Sequence, residues 1–306
     1  MRRLVPGRVR RLRERLRALD RLPKLDELDR VKDRLDNVIE AVGRIEARQL
    51  RGTRGSLRDH EFRVYSHAGE DGIIQFLVHS IDIPSRTFVE FGVEDYREAN
   101  TRFLLQREGW RGLVMDGNED NISAIRADPV YWNHDLTAVN AFVTRENIDR
   151  LLADNGFTGD LGLLSVDIDG NDYWVFEAIT AVRPAIAVVE YNHRFGPARS
   201  VTIPYDPAFV RRRHDTSWLC TGASLAAIVG VANRKGMDFV GCNSFGNNAF
   251  LVRADLRPDW MPALSVEEGF VAGPFKETML RGGRPVVLSQ QEEQELISGA
   301  RLVEVP

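Results

Sequence analysis

The sequence contains almost no cysteine and no long apolar run. Its two cysteines, Cys220 and Cys242, cannot build a disulfide framework, and their spacing does not match a zinc site. We expect both to be thiols of the core. No apolar run approaches the roughly 20 residues that cross a bilayer, and the first residues carry arginines where a signal peptide has an uninterrupted apolar segment. These absences exclude disulfide-rich and membrane-spanning classes and predict a cytoplasmic location.

Positive charge is concentrated at one end of the chain. The formal net charge at pH 7 is −4 over 306 residues. Residues 2–17 nevertheless contain one acid, Glu14, against eight arginines, which are Arg2, Arg3, Arg8, Arg10, Arg11, Arg13, Arg15 and Arg17. The remainder is therefore acidic, which argues against an enzyme that grips nucleic-acid phosphates across its surface. The basic end fits contact with the inner surface of an anionic membrane, or with another acidic partner.

Two amphipathic helices are predicted before residue 50. Apolar residues recur at steps of three and four between Val5 and Leu19, and Pro23 then interrupts the pattern. The same spacing covers residues 28–45, in Leu28, Val31, Leu35, Val38, Val42 and Ile45. It predicts either a short coiled coil that joins copies of the chain or a helix that packs on the body of the protein.

Composition and pattern divide the chain into segments. Residues 1–50 carry the two helices, and the turn-rich stretch 51–61 is interpreted as a linker. Residues 62–255 are expected to form the main domain. Within it, residues 196–217 are rich in turn formers and are a candidate lid, while residues 256–306 are interpreted as a C-terminal extension.

Four short apolar runs predict the strands of a parallel sheet. Each is apolar throughout rather than alternating, as expected for strands that helices cover on both faces. Each ends on a carboxylate, namely Glu90, Asp116, Asp167 and Glu190. Because ligands bind beyond the carboxyl ends of strands in open α/β sheets, we expect these four to share one rim. Residues 237–253 predict a hairpin. The predicted fold class is therefore α/β, a doubly wound, mostly parallel, Rossmann-like sheet with a terminal antiparallel hairpin strand.

Several motifs, taken in order, resemble one enzyme family. They are Tyr65-Ser66-His67-Ala68-Gly69-Glu70-Asp71-Gly72, Val89-Glu90-Phe91-Gly92-Val93-Glu94-Asp95-Tyr96, Asn100-Thr101-Arg102, Trp110-Arg111-Gly112-Leu113-Val114-Met115-Asp116-Gly117, Leu164-Ser165-Val166-Asp167-Ile168-Asp169-Gly170-Asn171-Asp172-Tyr173-Trp174, Glu190-Tyr191-Asn192 and Gly222-Ala223-Ser224-Leu225. Across residues 62–254 the sequence resembles the FkbM-like branch of class I S-adenosylmethionine-dependent methyltransferases, many of which are assigned to O-methylation of sugars. The resemblance implies S-adenosylmethionine as cofactor and a carbohydrate-containing acceptor.

The loop after the first strand has fewer glycines than this family's pattern. Such methyltransferases usually have two or three glycines that let the backbone approach the cofactor, whereas here Gly92 is followed by Val93, Glu94, Asp95 and Tyr96. Two interpretations are open. The loop reaches the cofactor with another backbone geometry, or this branch holds a different ligand.

The resemblance implies a set of cofactor-binding residues. Glu90 and Gly92 would lie under the methionine part, and Asp116 would accept from both ribose hydroxyls. Asp135 would contact the adenine amine or, with equal weight, N-cap a helix. Asn100, Asp167 and Glu70 complete the set. For Glu70, the alternative interpretation is that it caps a helix.

An Asp-x-Asp sequence follows the third apolar run. Asp167 and Asp169 lie close to Asp172, so their charges repel unless a cation, a proton or water relieves them. Asp172 is expected to cap the next helix. The pattern resembles magnesium-dependent sugar O-methyltransferases, in which Asp169 or His193 would accept the hydroxyl proton. The ligands of Mg²⁺ that the resemblance implies are Asp167, Glu190 and Asn192.

The expected reaction is methyl transfer from the sulfonium of S-adenosylmethionine to a sugar hydroxyl, assisted by the metal. Two alternatives remain. An Asp-x-Asp after an apolar strand also holds the metal of many glycosyltransferases, and a glycine-poor loop is compatible with a non-catalytic assembly protein that keeps the fold. Nucleic acid is not expected as a partner.

Overall fold

The computed structural model describes residues 22–211, 219–274, 276, 278–281 and 284–306. The basic segment 2–17, with its predicted membrane contact, lies outside the described residues. The chain forms two compact units, Met1–Glu46 and Ala47–Pro306. Helix α1, Leu22–Gln49, accounts for the described part of the first unit. None of the described helices is long and apolar enough to cross a membrane.

The second unit is built around a seven-stranded sheet. The strands in chain order are β1 (Thr87–Phe91), β2 (Arg111–Asp116), β3 (Leu136–Asn140), β4 (Gly159–Val166), β5 (Val182–Glu190), β6 (Val201–Thr202), β7 (Met237–Cys242), β8 (Asn248–Arg253), β9 (Thr278–Arg281), β10 (Arg284–Val287) and β11 (Val303–Glu304). The large sheet has the order β3-β2-β1-β4-β5-β8-β7. Strands β1 to β5 run parallel, and β8 pairs antiparallel with β5 and β7. The predicted fold class is confirmed.

Helices cover both faces of this sheet. After α1 they are α2 (Glu70–Ser80), α3 (Glu119–Ala127), α4 (Pro129–Asn133), α5 (Ile148–Asp154), α6 (Asp172–Ala178), α7 (Leu225–Arg234), α8 (Val266–Gly269) and α9 (Gln290–Ser298). Neighbouring residues of one strand enter two different buried clusters. Val89 and Phe91 of β1 belong to one cluster, and Phe88 belongs to the other. Burial of both faces explains why the strands are apolar throughout.

Residues 256–306 pack on the main domain. Strand β11 pairs antiparallel with β6. Leu288 is buried together with Leu219 and Cys220, and Glu293 of α9 lies 3.8 Å from Arg194 in an ion pair. The C-terminal residues therefore support the segment that follows β5. Cys220 and Cys242 are both buried.

The turn after β1 passes very close to the turn after β4. Gly92 has a φ of +77°, and a Cβ built on it would lie 1.6 Å from the carbonyl oxygen of Asp167. Its amide donates to the carbonyl oxygen of Met115 in β2 at 3.0 Å. Only glycine fits, because any side chain would meet backbone atoms that cannot move without breaking the sheet.

We expect Gly92→Ala to lower the free energy of unfolding by about 3 kcal/mol or more, since the positive φ and the backbone clash both oppose a Cβ. The measurement is urea denaturation followed by circular dichroism. Gly236→Ala is the matched control, because Gly236 has a φ of +70° and a Cβ there would meet nothing within 4 Å. The control should cost only about 1 kcal/mol, from backbone strain alone. Equal losses in the two variants would contradict the close approach.

Candidate functional site

A cavity of about 740 Å³ opens at the carboxyl ends of β1, β2, β4 and β5. Its walls carry most of the residues that the sequence selects. Nine of them line it, namely Glu90, Gly92, Asn100, Asp116, Asp167, Asp169, Glu190, Asn192 and His193. The rule that parallel strands bring their carboxyl ends to one edge therefore places these side chains together.

The glycine-poor loop after β1 forms a tight turn without further glycines. Glu94 and Tyr96 adopt positive φ angles of 47° and 62°, in the region that glycine usually occupies. The Glu94 amide donates to Asp116 Oδ2 at 2.9 Å, and the Tyr96 hydroxyl lies 2.9 Å from that of Thr101. These contacts hold the loop in a conformation that costs a non-glycine residue free energy. The loop therefore turns at two non-glycine residues with positive φ. That it reaches the cofactor in this geometry stays a prediction.

Glu90 has a structural task on the cavity wall. Its buried carboxylate accepts from the Asn100 amide at 2.8 Å, the Thr101 amide at 3.1 Å and the Thr101 hydroxyl at 2.5 Å. Ser165 Oγ lies 3.3 Å from Glu90 Oε1 and accepts from Asn100 Nδ2 at 3.1 Å. Burial raises the pKa of Glu90, and these hydrogen bonds oppose the rise. Glu90 therefore positions residues 100–101.

Asp116 ends β2 and holds three donors. Oδ1 accepts from the Asn118 amide at 2.8 Å and from Asn121 Nδ2 at 3.0 Å, and Oδ2 accepts from the Glu94 amide at 2.9 Å. An ionised carboxylate has about four acceptor sites. About one site is left for a ligand, so this arrangement accommodates a single hydroxyl more readily than two.

Three carboxylates meet on the opposite wall. One oxygen each from Asp167, Asp169 and Glu190 lies within 4.8 Å of the others, and we refer to these three residues as the carboxylate group. Burial raises the pKa of Asp167 well above its usual range, and the charges of Asp172 and Asp169 raise it further. Burial raises the pKa of Glu190 well above its usual range, and the charges of Asp167, Asp172 and Asp169 raise it further. Full ionisation of this group is therefore costly without a positive charge beside it.

A cation from the chain itself reaches this group. Arg211 forms an ion pair with Asp169, and its charge lowers the pKa values of Asp167 and Glu190. Arg211 ends a stretch, residues 203–211, that we call the cover segment. Phe209 of this segment packs against Gly170, where a Cβ would lie 2.1 Å from the ring, and the carbonyl oxygen of Asp206 accepts from Asn171 Nδ2 at 2.8 Å. The remainder of the predicted lid, 212–217, lies outside the described residues.

Asn171 is a site residue that the sequence did not select. Its side chain lines the cavity and is 3 % exposed, yet Oδ1 has no hydrogen-bond partner among the described residues. A buried amide oxygen without a donor is rare, so Oδ1 is available to accept from a water molecule or to contact a cation. The neighbouring Asp172 accepts from the amides of Ile168 and Gly170 at 2.7 and 2.8 Å, and burial raises its pKa to about 6. Asp172 thus shapes the turn that carries Asp169.

Asn192 and His193 line the cavity with limited chemical freedom. Asn192 Nδ2 donates to the carbonyl oxygens of Leu219 and Thr221 at 2.7 and 2.9 Å, and Oδ1 accepts from the Arg194 amide at 3.1 Å. Asn192 therefore acts as a turn residue, and Asp169 contributes a carboxylate oxygen close to those of Asp167 and Glu190. The set of metal ligands stays a prediction. Burial, helped by the charge of Arg194, lowers the pKa of His193 to about 4, so this residue is neutral and a weak base near pH 7.

Two selected residues do not line the cavity. Glu70 is buried and accepts from the Ala68 amide, Asn243 Nδ2 and Asn248 Nδ2 at 2.7 to 2.9 Å, so it ties α2 to the turn before β8. Asp135 is exposed and directly precedes β3. It therefore lies at the amino end of a parallel strand, the wrong edge for an adenine contact. It does not N-cap a helix either, because a strand follows it.

Further cavity residues come from parts of the chain that the sequence left unassigned. Phe142 follows β3, is 47 % exposed, and lies over Gly117, with a ring carbon 3.1 Å from a Cβ built there. His67 Nδ1 lies 2.7 Å from Glu98 Oε1, and its ring packs edge-on against Phe245.

The raised pKa of Asp167 predicts a pH-dependent stability. A carboxyl group whose folded pKa is raised loses stabilisation as pH rises from its unfolded value, about 4, through its folded value. Each unit of the rise is worth about 1.4 kcal/mol. With a chelator present, Asp167→Asn should therefore be more stable than the parent at pH 8, by at least about 1 kcal/mol, and should lose that advantage at pH 4.

Chemical unfolding at both pH values measures this difference. Asp154→Asn removes an exposed carboxylate of α5 and should change stability little at either pH. If Asp167→Asn were less stable than the parent at pH 8, the carboxylate group would not be strained by its charge.

Comparisons with known proteins give only distant similarities. No protein-family model matches the chain. No curated protein matches it either. Among solved structures, the pyocyanin biosynthetic protein PhzM shares 13 % identity over 56 % of this chain and 52 % of its own, with a TM-score of 0.33. This chain thus matches about half the length of that protein.

Two further structures are similar at the same level. An O-methyltransferase from Bacillus cereus, in complex with SAH, is 14 % identical over 70 % of this chain and 89 % of its own, with a TM-score of 0.38. An O-methyltransferase family protein from Burkholderia thailandensis is 16 % identical over 60 % and 58 %, with a TM-score of 0.35. At these values the similarities do not assign a function to this chain.

Proposed function

We propose that this chain is an S-adenosylmethionine-dependent O-methyltransferase, of the FkbM-like kind, that acts on a hydroxyl of a carbohydrate-containing acceptor. One observation carries the proposal. A single cavity, of the size that holds small ligands, joins the loop at Gly92 and Asp116 on one wall to the carboxylate group on the other. Transfer between two ligands needs both sets of contacts within one space.

The first wall supports a nucleoside-containing cofactor. Gly92 exposes backbone where a side chain would block approach, and Asp116 has capacity for about one ribose hydroxyl. Phe142 offers a flat apolar face near Gly117, and we assign to it the adenine contact that the sequence analysis assigned to Asp135. The acidic lining of the cavity also favours a ligand that carries a positive sulfonium.

The second wall supports a divalent cation. Mg²⁺ prefers oxygen ligands, and Asp167, Asp169 and Glu190 present them within one cation's reach. The orphaned Oδ1 of Asn171 is a further oxygen on this wall. The donor set fits the ion, since Arg211 already shows that a positive charge is accepted beside Asp169. When bound, such an ion lowers the pKa of an acceptor hydroxyl.

The chain's own residues then complete the transfer. The acceptor oxygen attacks the methyl carbon, the carbon–sulfur bond breaks with its electrons going to sulfur, and the hydroxyl proton passes to a carboxylate. Asp169 is the most exposed member of the carboxylate group and is the proposed proton acceptor. His193 is the second candidate, and its lowered pKa of about 4 makes it a weak base near neutral pH.

Calorimetric titration with S-adenosylhomocysteine tests the cofactor half. We expect micromolar binding by the parent and at least tenfold weaker binding by Asp116→Ala, which removes both the ligand acceptor and the anchor of Glu94. Glu119→Ala is the matched control, since it removes an exposed acid three residues away and should bind like the parent. Absence of binding, with and without Mg²⁺, would rule out the proposed reaction.

Titration with Mn²⁺, as a probe for Mg²⁺, tests the metal half. Arg211→Gln should bind Mn²⁺ at least about tenfold more tightly than the parent, because a competing charge beside Asp169 is removed. Glu190→Gln should bind it more weakly than the parent. Arg199→Gln removes an exposed charge from the segment between β5 and β7, which also contains Arg211, and serves as the control. Equal affinities in the parent, Arg211→Gln and Glu190→Gln would remove the metal from the mechanism.

A further inference from the structure

Helix α1 presents an apolar stripe to solvent. Eleven large apolar side chains are exposed among the described residues, and seven of them lie between Leu28 and Ile45. Six form the seam that the sequence pattern marks, with exposed fractions from 48 % to 63 %: Leu28, Val31, Leu35, Val38, Val42 and Ile45. The seventh, Ile39, lies beside the seam at 43 %. A patch of this kind usually marks a surface that binds another chain.

The spacing of the seam defines a heptad register. With Leu28 at position a, the a positions are Leu28, Leu35 and Val42, and the d positions are Val31, Val38 and Ile45. Position c, on the outer face, holds the exposed residues Arg30 and Asn37. This is the pattern of helices that associate side by side through a and d.

The charges of helix α1 indicate whether a membrane or another helix covers the seam. Residues Leu22–Gln49 contain seven acidic and six basic side chains, so the helix lacks the basic excess of one that lies on an anionic membrane. In a parallel assembly of identical helices, each g residue faces the e residue five positions on in a neighbour. Glu27 then faces Lys32, and the two other pairs, Arg34 with Ile39 and Ala41 with Glu46, contain no like charges.

We propose that this seam binds further copies of the same chain in a parallel coiled coil. Leucine at two a positions with valine or isoleucine at every d position favours three or four strands over two. Ile39 at an e position, which a two-stranded coil leaves at its edge, fits the wider contact of such a bundle. The assembly does not depend on the reaction that the cavity performs.

The mass of the full-length protein in solution, measured by light scattering after gel filtration, tests this assembly. We expect the mass of three or four chains. Leu35→Glu with Val38→Glu should weaken self-association at least about a hundredfold, because it places charges at adjacent core layers. Arg30→Glu with Asn37→Glu is the matched control on the outer face and should keep the assembly. Circular dichroism checks that both double variants remain helical.

Disulfide formation tests the parallel register. Leu28→Cys should cross-link spontaneously between chains, because identical a residues meet in a parallel coil, whereas Arg30→Cys should not. In an antiparallel pair Leu28 would face Ile45, about 25 Å along the helix from its counterpart. The native cysteines are buried and give little background. A single-chain mass, a mass unchanged by the seam variant, or no cross-link at Leu28→Cys would overturn the proposal.

Discussion

The close approach of Gly92 to the carbonyl oxygen of Asp167 is the contact on which the site depends. It brings the turns after β1 and β4 within van der Waals distance, where any side chain would overlap the backbone. Because of it, the loop that reaches Asp116 and the turn that carries Asp169 border the same cavity. A wider separation of these turns would leave two shallow surfaces in place of one enclosed site, and ligands on them would not meet.

The carboxylate group shows the electrostatic cost of bringing these turns together. Asp167, Asp169 and Glu190 lie together in a partly buried place, so burial and mutual repulsion raise the pKa values of Asp167 and Glu190. A structure selected for stability alone would separate them. Their proximity, beside an amide oxygen of Asn171 that lacks a donor, supports the binding site proposed above, in which a ligand would relieve this repulsion.

Sequence reasoning found what topology determines and missed what depends on long-range packing. The apolar runs were sufficient to predict that the four residues at their ends share one rim, because parallel strands must bring those ends to one edge. These residues are Glu90, Asp116, Asp167 and Glu190. Asp135 was misplaced because β3, Leu136–Asn140, contains Thr137 and Asn140 and gave no apolar run that would have fixed its direction. The partnership of Asp169 with Arg211, 42 residues apart, and the burial of Asn171 follow from packing that no local pattern encodes.

The position of Arg211 also bears on the source of positive charge at this site. A guanidinium supplied by the chain occupies one side of a group of acids that otherwise suits a divalent ion. Under the proposed function, Arg211 and a divalent ion compete for the same side of Asp169, so the cover segment decides whether the chain or the solvent supplies the positive charge. The concentration of free ions around the protein would then act on the same equilibrium as a substitution at position 211.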